Sequence, residues 1–128
     1  MTVDFNGNTG PFIQYTHARI RSIVRKAGDL GESSFEHVEL NEKERGVLKV
    51  LHSLPDTIVA AANAYSPAMI ANYAYDLAKA FNSFYQDTPI LREENAELKQ
   101  MRVCLCAAVA NALKNTMNIL GIEVPERM

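Results

Sequence analysis

Residues that start and stop helices divide this chain into five segments, and in each segment apolar side chains recur every three or four residues. This recurrence follows the turn of an α-helix, roughly 3.6 residues, and is typical of helices with one buried face. Strand signals are nearly absent, because β-branched residues do not cluster and no Asn-Gly turn separates two alternating segments. The sequence therefore predicts an all-α fold, a helical bundle of about five helices with short connections.

The ends of the predicted helices are marked by capping and helix-breaking residues. We expect helices over about residues 11–27, 42–54, 55–65, 67–85 and 94–120. Asn41 and Glu44 form a capping-box pattern at the start of the second helix. Pro67 suits a first helical position, where its missing N–H would lack a partner anyway. Gly28 and Gly121 suit the left-handed conformation that commonly ends a helix.

Apolar stripes on these helices indicate which side chains form the core. On the fourth helix the stripe consists of Ile70, Tyr73, Leu77, Phe81 and Phe84. On the fifth helix it consists of Leu98, Met101, Leu105, Val109, Ala112, Thr116 and Leu120. The second helix contributes Val47, Leu48 and Leu51. Steps of three and four place the members of each stripe on one helix face, so we expect all three stripes to be buried.

Length and charge limit the possible functions. A chain of 128 residues can form one domain with its own core. Its net charge of −2 argues against a protein that coats nucleic acid through bulk electrostatics, so any RNA contact must be a local patch. No signal peptide is visible, and no apolar run approaches the roughly 18 residues of a membrane span. The sequence after Met1 is typical of the middle of a protein, which suggests a piece of a longer chain.

No group of residues in the sequence supplies an active site or a metal site. Cys104 and Cys106 point to different sides of a helix, so they suit neither a mutual disulfide nor a shared metal. We interpret both as packing residues of a reduced, intracellular protein. Nucleophile-elbow, Walker and H-E-x-x-H motifs are absent, and the three histidines are dispersed. Glu93, Glu94 and Glu97 complement the dipole of a helix start, so we predict no catalytic residue and no metal ligand.

One stripe on the first helix combines two aromatic rings with a cation. Phe12, Tyr15 and Arg19 are spaced i, i+3 and i+7, so they share a face. Such a face can hold an unstacked base and its phosphate, although spacing alone favours core positions for the two rings. Four basic residues fall within one stretch of eight, namely Arg19, Arg21, Arg25 and Lys26. This basic run suits either phosphate contacts or an ordinary solvated face.

Three segments together resemble the C-terminal anticodon-binding domain of arginyl-tRNA synthetase. They are GNTGPFIQYTHARI at residues 7–20, YAYDLAKAFNSFY at residues 73–85 and LGIEVPERM at residues 120–128. Cysteinyl-tRNA synthetase has a related helical domain but does not carry the first and third patterns. The resemblance implies the helical anticodon-binding domain type of class I aminoacyl-tRNA synthetases. It also implies a junction to a missing catalytic domain at residues 1–10 and an isolated anticodon-binding domain at residues 11–128.

The resemblance also implies partners, cofactors and a location. The expected partners are the anticodon loop of tRNA(Arg) and the missing catalytic domain. We expect this chain to bind neither membranes nor DNA. The parent enzyme activates arginine with ATP and Mg, through H-I-G-H-like and K-M-S-K-S-like motifs that this sequence lacks. We therefore expect no cofactor and no aminoacylation activity in this chain alone, and a cytoplasmic location.

The same resemblance assigns the site residues. The side chains expected to face the anticodon loop are Phe12, Tyr15, Arg19, Tyr85 and Met128. Possible phosphate contacts are Arg21, Arg25, Lys26 and Lys114. Phe12 stands where the family more often has tyrosine, so it keeps a stacking face and loses a hydroxyl. Three alternatives stay open: a helical protein-interaction bundle without RNA binding, a cysteinyl-tRNA synthetase-like anticodon domain, and a small helical enzyme.

Overall fold

The computed structural model of the chain describes residues 9–28 and 39–121, and these residues form five α-helices and no strand. The helices are α1 (Thr9–Ala27), α2 (Glu42–His52), α3 (Leu54–Ala64), α4 (Pro67–Asp87) and α5 (Ala96–Ile119). The predicted all-α fold is therefore confirmed. Each predicted helix end lies within two residues of the observed one, the ordinary uncertainty of a helix boundary.

The helix ends carry the predicted capping interactions. The Asn41 side chain accepts a hydrogen bond from the Glu44 backbone N–H, and the Glu44 carboxylate accepts one from the Asn41 N–H, each at 2.8 Å. Gly28 and Gly121 have φ values of 67° and 76°, which glycine adopts without a Cβ clash. Tyr65 also ends α3 in a left-handed conformation, with φ 51°, although its sequence carries no glycine signal there.

Helix α4 forms the centre of the bundle. It packs against each of the other four helices, and α1 also packs along α5. All five residues of the predicted α4 stripe are buried, and Leu77, Phe81 and Phe84 are fully inaccessible. On α5 the interior of the predicted stripe is buried, while Leu98 and Leu120 at its ends are half-buried. The core thus lies where the apolar spacing predicts.

One predicted packing position on α2 and one on α5 are wrong. Leu48 is exposed, because the face that α2 buries runs through Glu44 and Val47, with Leu51 half-buried, and Leu48 lies at its margin. Cys104 is also exposed, although Cys106 is fully buried. The two thiols do point to different sides of α5, as predicted, so only one of them can face the core.

A buried ion pair joins helices that are distant in sequence. The Arg102 Nε donates to a carboxylate oxygen of Glu44 at 3.0 Å. The Arg102 Nη1 donates to the Pro89 carbonyl at 2.7 Å and to the Glu93 carboxylate at 2.9 Å. The Glu44 side chain is fully buried, and its second oxygen is the one that caps α2. Arg102 on α5 therefore holds both α2 and the connection between α4 and α5.

Candidate nucleic-acid interface

A cleft of about 860 Å³ lies between α1 and the C-terminal end of α4 with the connection that follows it. From α1 it is lined by Tyr15, Arg19, Arg25 and Lys26, and from the other side by Tyr85 and residues 86–92. Its volume lies within the range of roughly 300–1,000 Å³ that is typical of sites for small ligands. The cleft therefore has room for a ligand of about the size of a nucleotide, beside a basic helix end.

The guanidinium of Arg19 lies beside two tyrosine rings in this cleft. It is 5.2 Å from the Tyr15 ring centroid and 5.0 Å from the Tyr85 ring centroid, both within cation–π distance. Tyr85 is supported from the core, because its ring stacks on Phe81 at 6.0 Å with an interplanar angle of 28°. Tyr15 is 53 % exposed, so the expectation from spacing alone, a core position, is wrong for this residue.

A chain of hydrogen bonds connects Arg19 to the backbone of α1 through α4. The Arg19 Nη1 donates to the Asn82 side-chain oxygen at 2.7 Å. The Asn82 amide nitrogen donates to the Thr16 hydroxyl oxygen at 2.9 Å and to the Ala78 carbonyl at 2.8 Å. The Thr16 hydroxyl donates in turn to the Phe12 carbonyl at 2.9 Å. Within residues 9–28 and 39–121, no acidic side chain is found paired with Arg19.

The second wall of the cleft is held to the bundle by both apolar and polar contacts. Thr88 and Ile90 are each only 5 % exposed, so the connection between α4 and α5 packs against the helical bundle. Between these two residues, the Pro89 carbonyl accepts the hydrogen bond from Arg102. The buried ion pair of Arg102 with Glu44 therefore anchors this wall to α2 and α5.

The structure brings together some of the predicted site residues and separates others. Tyr15, Arg19 and Tyr85 meet in the cleft, and Arg25 and Lys26 line its far end. Phe12 shares their helix face but packs edge-on against Tyr75, at a centroid distance of 5.8 Å, outside the cleft lining. Two predicted phosphate contacts also lie outside that lining, namely Arg21 and Lys114. Met128 lies outside the described residues, as do residues 1–8 of the predicted junction.

Three residues around the cleft were missed by the sequence reasoning. Asn82 had a usable signal, because it lies one helical turn before Tyr85 and close to the face of α4 that carries Tyr75. Thr16 had none, since a threonine inside a helix usually needs no further partner than a backbone carbonyl. Arg102 stands between the buried Met101 and Val103, and an arginine among core residues indicates a buried partner.

Two groups with a raised pKa lie away from the cleft. Burial raises the pKa of the Cys106 thiol to about 12. Burial likewise raises the pKa of Tyr73 to about 12, and its hydroxyl donates to the Val50 carbonyl at 2.8 Å. Both groups are therefore neutral near pH 7. In the described part of the chain, no three metal-binding side chains cluster and no helix is long and apolar enough to cross a membrane.

The family is shown by sequence comparison. The model of the DALR anticodon binding domain matches residues 13–128, nearly the whole chain. The chain therefore belongs to the DALR anticodon binding domain family.

Individual relatives are arginine–tRNA ligases. The chain is 52 % identical to the ligase of Parabacteroides distasonis over 131 aligned residues, which cover 99 % of this chain and 22 % of the ligase. It is 50 % identical to the ligase of Flavobacterium psychrophilum, with 99 % of this chain and 21 % of the ligase covered. The fold is similar to arginyl-tRNA synthetase of Thermus thermophilus, with a TM-score of 0.86 and 32 % identity over 98 % of this chain and 22 % of that one.

These lengths bear on what the chain contains. The chain spans about a fifth of the length of the ligases it matches, and the matching part is the anticodon-binding domain. The expectation that the 128 residues do not include the catalytic domain is therefore confirmed. The resemblance to the arginyl-tRNA synthetase domain is confirmed as well.

Proposed function

We propose that this chain recognises the anticodon loop of tRNA(Arg) and positions that tRNA for arginylation by a catalytic domain outside these 128 residues. The observation that carries the proposal is the place of Arg19, beside the rings of Tyr15 and Tyr85 in a cleft of about 860 Å³. Aromatic faces stack unpaired bases, and guanidinium groups bind base edges and phosphates. Base recognition is thus assigned to the three residues that meet in the cleft.

The charge distribution supports RNA as the ligand. Arg25 and Lys26 extend the basic surface of the cleft beyond Arg19, while the chain as a whole has a net charge of −2. This combination favours a local contact with one loop over the coating of long nucleic acids. Phe12 and Met128 remain part of the proposed loop contact on the strength of the family resemblance.

The chemistry of arginylation is assigned to the rest of such a ligase. ATP and Mg would be bound there, and this chain would act without a cofactor as the part that selects the tRNA. We further propose that the ligase is cytoplasmic. The chain alone is expected to form no arginyl-adenylate in an ATP–pyrophosphate exchange assay, and adenylate formation would contradict this assignment.

Binding of an anticodon stem-loop tests the proposal directly. Fluorescence anisotropy would compare a labelled stem-loop of tRNA(Arg) with one whose middle anticodon cytosine is replaced by uridine. We expect tighter binding of the first, because the family resemblance implies that the pocket for anticodon bases holds chiefly the middle cytosine. Equal binding of both loops would contradict anticodon reading, and no binding of either would favour the protein-interaction bundle.

A matched pair of tyrosine variants locates the contact. Tyr15→Ala removes a ring from the cleft, and stacking on an aromatic ring contributes about 1–3 kcal/mol per base, so we expect roughly tenfold weaker binding or more. Tyr65→Ala is the control, because Tyr65 is 93 % exposed and lies outside the cleft lining. Full affinity of a folded Tyr15→Ala variant would exclude Tyr15 from the site.

A further inference from the structure

We propose that Thr16 and Asn82 form a positioning relay that fixes the Arg19 guanidinium in the cleft and thereby sets the selectivity of the cleft for its base. The inference rests on the proposed function, since selectivity has meaning only where the cleft binds RNA. Neither residue is among the cleft-lining side chains, and Thr16 is only 1 % exposed. Both are therefore positioning residues, which act on a ligand through Arg19.

The orientation of the Asn82 amide is determined by its partners. Its nitrogen faces two oxygens, the Thr16 hydroxyl at 2.9 Å and the Ala78 carbonyl at 2.8 Å. An amide nitrogen carries two N–H donors, and both are used by these acceptors. The amide oxygen must then face Arg19, where it accepts the Nη1–H at 2.7 Å. The reversed amide would direct its donors at a guanidinium, which can only donate, and would leave the Ala78 carbonyl facing an oxygen.

Thr16 fixes the direction of this chain of hydrogen bonds. A hydroxyl can donate or accept, so by itself it would tolerate either orientation of the Asn82 amide. Here the hydroxyl hydrogen is committed to the Phe12 carbonyl at 2.9 Å, one turn earlier on α1. The Thr16 oxygen can therefore only accept from Asn82. The buried threonine thus reinforces the amide orientation that the Ala78 carbonyl and Arg19 also require.

The hydrogen bond from Arg19 to Asn82 restrains the orientation of the guanidinium, which the two ring contacts leave free. Cation–π attraction holds the guanidinium near the Tyr15 and Tyr85 rings but tolerates a broad range of positions around each centroid. A hydrogen bond to a fixed acceptor has a narrow angular range. Together the two ring contacts and the hydrogen bond restrain the orientation of the guanidinium, and none of these three partners carries a negative charge. A preorganised cation loses less side-chain freedom on binding and discriminates better between base edges.

Three threonine variants test the relay. Thr16→Val keeps the shape of the side chain and removes the hydroxyl, whereas Thr16→Ser keeps the hydroxyl. Thr116→Val is the matched control on α5, because Thr116 is also fully buried and its hydroxyl donates to the Ala112 carbonyl four residues earlier. The two valine variants therefore lose the same kind of intrahelical bond, and only Thr16→Val also removes one of the two acceptors of the Asn82 amide nitrogen.

Affinity and selectivity for the two anticodon stem-loops are the first readout. For Thr16→Val we expect binding of the cognate loop to weaken about threefold to tenfold, and the ratio between cognate and replaced loops to fall by a similar factor. Thr16→Ser and Thr116→Val should keep the wild-type ratio. An unchanged ratio in a folded Thr16→Val variant, or an equal loss in Thr116→Val, would overturn the relay.

The side-chain resonances of Arg19 in the RNA-free protein give a second readout that does not depend on the proposed function. In wild type, the bonded Nη1 should show slowed rotation of the guanidinium in nitrogen NMR spectra. Thr16→Val should restore fast rotation, and unchanged Arg19 signals would overturn the relay. If Thr16→Val does not fold, Asn82→Ala breaks the same link from α4 and is measured in the same way. Failure of wild type to bind either loop would contradict the proposed function, while the Arg19 signals would still decide the relay.

Discussion

Replacing Arg102 by methionine tests the buried ion pair that anchors one wall of the cleft. Methionine keeps an unbranched side chain but removes the guanidinium, and with it the bonds to Glu44, Glu93 and the Pro89 carbonyl. Among the three partners, Glu44 loses the most stabilisation, because its side chain is fully buried. After the substitution its carboxylate would keep one hydrogen bond in the described structure, from the Asn41 backbone N–H.

The expected cost is large because a charge is left behind in the core. Removing one partner of a buried ion pair typically costs about 3–5 kcal/mol, much more than the loss of an exposed pair. The side chains of Arg102 and Glu44 are only 8 % and 0 % exposed, so solvent screens this pair little. We therefore expect a loss of about 4 kcal/mol in the free energy of unfolding. A domain of this size has roughly 5–15 kcal/mol in total, so the variant should still fold.

A double variant separates the free-energy cost of the unpaired Glu44 carboxylate from the cost of the lost Arg102 contacts. Glu44→Gln combined with Arg102→Met removes both charges, and the glutamine oxygen can still accept the Asn41 N–H of the capping box. We expect the double variant to be more stable than Arg102→Met alone, because no uncompensated charge remains. The difference between the double variant and the sum of the single ones gives the coupling of the pair.

Urea unfolding followed by far-ultraviolet circular dichroism suits this measurement, because the chain is helical and contains no tryptophan. A cost below about 1 kcal/mol for Arg102→Met would be that of an exposed ion pair and would refute the buried network. A double variant less stable than Arg102→Met would refute the expectation that the unpaired Glu44 carboxylate destabilises the single variant.

Three further predictions follow from caps and buried acids. Asn41→Ala removes the side-chain half of the capping box, so urea unfolding should show a loss of about 1 kcal/mol. In a thiol-labelling assay at pH 8, Cys104 should react in the native protein and Cys106 only after unfolding, because Cys106 is buried and its pKa is raised to about 12. The folded state keeps the protons of Cys106 and Tyr73 up to about pH 12, whereas the unfolded state releases them from their ordinary pKa values of 9.0 and 10.0. Unfolding free energies measured across the alkaline range should therefore fall as pH rises from about 9, and fall less in Tyr73→Phe.

The parts of the fold that could be predicted from sequence depend on local physics. The α4 stripe from Ile70 to Phe84 is set by helical spacing, and the start of α2 is set by two residues three apart. Tyr15 and Arg19 meet because they share one helix. The contact of Arg19 with Asn82 spans 63 residues, and no spacing rule contains it. Tyr85 entered the predicted site only through the family resemblance.

The surroundings of Phe12 and Arg102 could not be predicted from the sequence, for the same physical reason. Phe12 lies on the same stripe as Tyr15, yet its ring packs edge-on against Tyr75 of α4 and is not part of the cleft lining. Arginine side chains are usually exposed. Arg102 is buried because Glu44, 58 residues earlier, supplies an ion-pair partner. In both cases the position of a side chain depends on what another helix places opposite it. Such pairings arise from packing, which the sequence of one helix does not determine.

Polar contacts hold both walls of the cleft to the bundle and thereby fix the spacing of the side chains that line it. Apolar packing fixes the distance between helices but tolerates exchange of one apolar side chain for another of similar volume. A buried hydrogen-bonded group is less tolerant, because a shifted partner leaves it unsatisfied. The Asn82–Thr16 contact fixes α4 against α1, and the Arg102–Glu44 pair fixes the connection after α4 against α2 and α5. The rings and the guanidinium of the cleft therefore keep their spacing even though they come from segments that no local rule brings together.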